Sequence, residues 1–303
     1  MQSIYAMHQN HSDNLEKEEK FLFQSIENIQ DLYLVMLSAL IELRNVEDDF
    51  IEKSQKKHLA TQEERNPNLK FVNNIALKLL EENNGLSIAL ENRKINNWKL
   101  NDDYIVILLN EVKNSDIYKE YMHNRDNTFE EDKEFIINIF TQVIAPNDKL
   151  YEYLEDYKLT WVDDIPLVNT LINKQLKQLN VDSGNSYLAP RLFKDIDDKE
   201  FVRNLFRKTV LNDTELSKEF VGKTPNWDTE RIAEVDTIIL KMAICEFLKF
   251  PSIPVKVTIN EYLEIAKEYS TPKSSIFING ILDNLVKDYQ TYNKLVKTGR
   301  GLM

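Results

Sequence analysis

Glycine and proline are scarce, at 6 and 8 in 303 residues. Both fall well below ordinary usage. Hairpins and sandwiches need frequent turns, so most such readings are removed and long helices are expected. Cysteine occurs once, as Cys245. That excludes an internal disulfide and a cysteine-based metal cluster, and it fits a reducing, cytoplasmic setting. No apolar run reaches the length of a membrane span. Met1 is followed by polar and aromatic residues rather than a basic flank and an apolar stretch, so no signal peptide is expected. Basic residues are outnumbered too: 38 Lys/Arg face 50 Asp/Glu, a net charge of −12. Phosphate binding relies on basic surface, so a wholesale nucleic-acid coat is excluded.

What is present is hydrophobic patterning at helical period. At 42% hydrophobic residues the chain can bury a core. A first helix is expected from Gln2 to about Gln9. After Asp13, the residues Leu22, Ile26, Ile29, Tyr33, Met36, Leu40 and Leu43 alternate spacings of four and three. That seam is the buried edge of an intramolecular bundle in preference to a dimeric coiled coil. Lys53–Asn68 reads as a loop or frayed end, and further helices are expected near Leu69–Glu82 and Asp102–Asn114. Asn83, Asn84 and Gly85 supply a break between them. Charge is uneven. Residues 256–303 carry seven Lys/Arg and five Asp/Glu, a balance of +2. The acidic remainder suits solubility or a basic protein partner.

An internal repeat is visible at an offset of 66 residues. Asp132-Lys133-Glu134-Phe135 reappears as Asp198-Lys199-Glu200-Phe201. At the same offset Asn138 matches Asn204, Phe140 matches Phe206, Leu150 matches Leu216 and Trp161 matches Trp227. This reads as a duplicated helical unit.

Pro254 to Tyr289 carries the densest signal. Thr258 and Glu261 read as a capping box opening a helix, with Ile259, Tyr262, Leu263, Ala266 and Tyr269 as its apolar stripe. Thr271 and Pro272 are expected to start the next helix, whose buried face is Phe277, Ile278, Ile281, Leu282 and Leu285. Gly280 in its middle is expected to mark a close helix–helix approach.

These segments resemble the C-terminal signature of the NusB transcription antitermination family. The resemblance rests on "IPVKVTINEYLEIAKEY" at Ile253–Tyr269, "SSIFINGILDNL" at Ser274–Leu285 and "VDTIILKMAICEFL" at Val235–Leu248. "MQSIYAMHQ" at Met1–Gln9 resembles the family's first helix. The resemblance implies an all-α fold: a NusB-type helical bundle with an enlarged, partly duplicated helical middle. The expected organisation is an N-terminal helical region (1–127), a divergent repeat unit (128–185), a NusB-like subdomain (194–290) and a tail (291–303).

No Gly-rich phosphate loop, nucleophile elbow or H-E-x-x-H zinc motif occurs, and no acid–base pair stands out. His8 and His11 share a helical face, but a solvated helix end explains them better than a metal site. Cys245 lies in an apolar run and reads as a core thiol. Trp98, Trp161 and Trp227 read as anchors between helices. Gly299-Arg300-Gly301 reads as a frayed tail.

The resemblance implies a non-enzymatic adaptor without cofactor. It would pair with the ribosomal protein NusE on a boxA element in nascent ribosomal RNA, within the transcription elongation complex. Carried over by position, the RNA-contact candidates are Gln2, Tyr5, Lys256, Lys267, Lys273, Ser274 and Asn279. For each, capping or plain solvation is the alternative. The arginine-rich stretch that precedes the first helix in the family is not matched, so weak RNA binding alone and stronger binding with partner are expected. The rival readings are a helical interaction scaffold that has lost RNA binding and, more remotely, an accessory domain of an RNA methyltransferase.

Overall fold

The computed structural model describes residues 1–124, 127–184, 187–188, 191–221 and 232–302. Among them are sixteen α-helices, short 3₁₀ and π turns, and no strand. None of the helices is long and apolar enough to cross a membrane. The chain divides into two compact units, one of residues 1–23 and 193–303 and the other of residues 24–192. α1 (Gln2–Gln9) belongs to the first unit, and α2 (Leu15–Gln55) begins in the first and continues into the second.

The middle unit follows along the chain. It comprises most of α2, then α3 (Gln62–Arg65), α4 (Ile75–Glu81), α5 (Asn84–Arg93), α6 (Asn97–Leu100), α7 (Asp102–Asn114) and α8 (Asp116–His123). α9 (Phe129–Ile139), a π turn (Phe140–Ile144), α10 (Asp148–Tyr157), a 3₁₀ turn (Leu159–Asp164) and α11 (Ile165–Gln178) complete it. Asparagines set several boundaries. Asn74, Asn83 and Asn147 each accept from an amide three residues on, at 2.9, 2.9 and 2.8 Å. Such caps satisfy orphan amides of the first turn. They also explain two shifts from expectation: α4 starts at Ile75 rather than near Leu69, and the Asn83 break opens α5 directly. Trp98 and Trp161 are buried and donate their indole N–H to the Val35 and Asn28 carbonyls, as interhelical anchors do.

The other unit is completed by α12 (Ile196–Leu211), α13 (Asp213–Phe220), α14 (Glu234–Lys249), α15 (Val255–Tyr269) and α16 (Ser274–Thr291). Its core gathers Ile4 and Met7 of α1, Phe206, Leu216, much of α14, Tyr262, Ala266, Ile278, Ile281, Leu282 and Leu285. The 66-residue offset places like elements in register: α9 on α12, α10 on α13, α11 on α14. Phe140 and Phe206, and Leu150 and Leu216, are buried in their respective units. Trp227 lies outside the described residues.

Four local expectations are corrected. Thr258 does not cap α15; the helix starts after Pro254, and the fully buried Thr258 hydroxyl donates to Glu246 at 2.6 Å instead. α16 starts at Ser274, two residues past Pro272, because Thr271 and Pro272 shape the preceding turn. Gly280 marks no close approach: it is exposed, and an added Cβ would meet nothing within 4 Å. The close approach is at Gly301, where a Cβ would fall 2.1 Å from the Pro251 carbonyl oxygen. The tail is therefore not frayed. Thr298 N–H donates to the Pro251 carbonyl at 3.0 Å, and Lys297 Nζ to the Phe250 carbonyl at 3.0 Å.

Candidate nucleic-acid interface

The first turn of α14 meets two of the segments that carry candidates, α1 and the turn between α15 and α16. α1 buries Ile4 and Met7, three apart, and so leaves Gln2 and Tyr5 exposed. At its other end Gln9 Nε2 donates to Glu234 Oε2 at 2.5 Å, and His8 Nδ1 lies 3.4 Å from Glu234 Oε1. His8 Nε2 also lies 3.8 Å from Asp213. Among the described residues no group of three or more His, Cys, Asp or Glu is arranged to hold a metal. Two residues beyond Glu234, the buried Asp236 carboxylate receives Ser270 Oγ at 2.6 Å and Ser274 Oγ at 2.8 Å. One turn of α14 thus holds both the end of α1 and the turn between α15 and α16.

The seven candidates are not one patch. Lys267 and Lys273 are exposed and flank the turn that Asp236 holds, with Lys267 paired to Glu264 at 2.5 Å. Tyr5 lies three residues, about one helical turn, from His8. Ser274 is buried, and its hydroxyl is engaged with Asp236, Ser270 and Thr271. Lys256 shares a face of α15 with Lys267 but stands about 16 Å along the axis, at 1.5 Å per residue. It lines a separate groove of about 810 Å³ with Ile259, Asp283, Val286, Lys297 and Leu302. Asn279 is half-buried and donates to Asp283 at 3.3 Å.

Charge separates the units. Residues 24–192 hold 19 Lys/Arg against 29 Asp/Glu, a balance of −10; the rest of the chain holds 19 against 21, a balance of −2. Phosphate is therefore least disfavoured by the unit that carries the candidates.

The buried carboxylates Asp236 and Glu246 are engaged within that unit. Glu246 receives Thr258 and Tyr262 hydroxyls at 2.6 and 3.2 Å; burial still pushes its carboxyl up, with both hydrogen bonds opposing. Burial pushes the Cys245 thiol up, with a hydrogen bond to Thr209 in opposition, which suits a packed core thiol rather than a nucleophile. Sequence reasoning missed Asp236 and Glu246. The available signal was their presence as carboxylates inside a helix that is otherwise mostly apolar.

An all-helical unit centred on a helix buried all round, with a carboxylate-held turn and a first helix packed on it, defines an α-helical domain. The comparisons place it. The NusB family model matches residues 167–287. The transcription antitermination protein NusB of Salinibacter ruber is 41% identical over 112 residues, covering 37% of this chain and 70% of that protein. Its namesake in Chloroherpeton thalassium is 38% identical over 130 residues, covering 43% of this chain and 62% of that protein. That of Clostridium kluyveri is 35% identical over 127 residues, covering 41% of this chain and 81% of that protein. No solved structure matches the chain significantly. The chain belongs to the NusB family.

Proposed function

We propose that this chain is a transcription antitermination factor that binds boxA-like RNA together with a NusE-type ribosomal protein, and that it is not itself an enzyme. The observation that carries the reading is the family match to proteins named for antitermination, over residues 167–287, which include Lys267 and Lys273. Gln2, Tyr5, Lys267 and Lys273 form the proposed RNA face. Lys256 belongs with the groove, Asn279 pairs with Asp283, and Ser274 positions the turn. A basic ribosomal protein fits the acidic chain by charge complementarity. The chain then works in the elongation complex as a cytoplasmic adaptor.

The test is filter binding of a boxA-like RNA at several salt concentrations, with and without the cognate NusE-type protein. Each phosphate contact to single-stranded RNA contributes about 0.7 to the slope of log affinity against log salt. Lys267→Ala with Lys273→Ala is expected to weaken binding severalfold and flatten the slope by roughly 1.4, while Lys256→Ala changes neither. Titration calorimetry with the NusE-type protein is expected to give a dissociation constant at or below about 10 µM. RNA binding too weak to measure with and without partner would favour the scaffold that has lost RNA binding, a reading to which the Lys267–Glu264 pair already lends weight.

A further inference from the structure

Between Leu32 and Leu43, α2 is buried at every residue except Glu42, which is half-buried. Glu42 is also the one charged side chain in that stretch. It lines a cleft of about 350 Å³ whose other walls come from α5, α6 and their junction: Leu90, Glu91, Lys94, Trp98 and Lys99. Burial pushes the Glu42 carboxyl up; the Lys99 charge and an Asn45 hydrogen bond oppose this, and Glu81 adds to it. The adjacent arginine is no help. Arg44 is held by Glu81 at 2.6 Å and by the Val72 carbonyl at 2.8 Å. Among the described residues no ion pair engages Glu42, Glu91, Lys94 or Lys99. A carboxylate partly withdrawn from water with no cation at ion-pair distance is unfavourable, and a bound cation relieves that.

We propose that this cleft binds a small zwitterion, an apolar amino acid or short peptide, with Glu42 taking the ammonium and Lys94 and Lys99 the carboxylate. The two carboxylates and two ammoniums of the cleft cancel, so a ligand of zero net charge with separated charges is the electrostatic match. Leu90 and Trp98 supply apolar wall for its side chain. The volume sits at the small end of ligand sites, which run from about 300 to 1,000 Å³.

The test is titration calorimetry of the full chain with four probes: L-leucine, L-leucyl-glycine, leucinamide, which lacks the carboxylate, and 4-methylpentanoate, which lacks the ammonium. L-leucine or the dipeptide is expected to bind at least about tenfold more tightly than either truncated probe, about 1.4 kcal/mol. Glu42→Gln is expected to abolish the preference over 4-methylpentanoate. Lys94→Met with Lys99→Met is expected to abolish the preference over leucinamide. A purely structural Glu42 would shift the melting temperature of Glu42→Gln without touching probe discrimination. The proposal is overturned if neither leucine nor the dipeptide binds at about 10 mM, or if Glu42→Gln discriminates as the parent does.

Discussion

Two helical stretches in this protein are buried on nearly every side, and they treat charge in opposite ways. α14 buries Asp236, Lys241 and Glu246, and each has a close partner on a neighbouring element. Asp236 takes two serine hydroxyls, Lys241 Nζ meets Asp213 at 2.5 Å, and Glu246 takes a threonine and a tyrosine. The middle of α2 carries Glu42 alone, with an amide as its hydrogen-bonding neighbour and no ion pair. The buried charges of α14 therefore tie helices together. The Glu42 charge of α2 is left facing a cleft. The lesson is that a buried carboxylate signals structure or binding according to whether the fold itself completes its hydrogen bonds.

The largest expected effect tests the structural half of that comparison. Asp236→Ala removes the acceptor shared by Ser270 and Ser274 and leaves both hydroxyls short of a partner. A loss of about 3 kcal/mol is expected, read from urea unfolding. A loss below about 1 kcal/mol would mean that the turn does not depend on this carboxylate.

The second prediction tests the uncompensated half. Asp164, in the middle unit, is pushed from its ordinary 3.8 up to about 6 by burial and by the adjacent Asp163 charge. A raised acid favours the protonated folded form. Its contribution is therefore full below about pH 4 and lost as pH rises through about 6. Asp164→Asn is expected to gain about 1 kcal/mol at pH 8, after allowance for solvent screening of a half-buried group, and nothing at pH 4. An equal gain at both pH values would remove ionisation as the cause.

The smallest effect probes a site where neither unit's charge is involved. Gly280→Ala places a methyl into open space on a helix of ordinary handedness, so a gain of about 0.5–1 kcal/mol is expected. Thermal unfolding checks it, and a loss would restore the close approach that the sequence pattern implied.

Much of this was legible in residue spacing. The limits of α1 at Gln2 and Gln9, the seam of α2 and the buried faces of α15 and α16 follow from apolar periodicity, except that Tyr269 at the end of the α15 stripe is exposed. Other features were not. Thr258 and Glu261 fit a capping box perfectly in one dimension, but a buried carboxylate twelve residues back on another helix competes for the same hydroxyl and wins. Gly280 and Gly301 look alike as letters, and only the path of the tail over Pro251 shows which of them needs to lack a side chain. Of the seven RNA candidates, spacing could not foresee that Ser274 faces inward while Lys267 and Lys273 face out.

By itself the sequence determined that this is an all-helical member of its family, because helical period and few turn residues are properties of one chain read locally. Tertiary structure decided which polar side chains are partnered and which remain open. That depends on what each helix meets in space, and hydrogen bonds and ion pairs between distant residues leave no period in the sequence. Asp236 and Glu42 are both carboxylates in apolar runs. Packing alone makes one of them a clamp and the other the floor of a cleft.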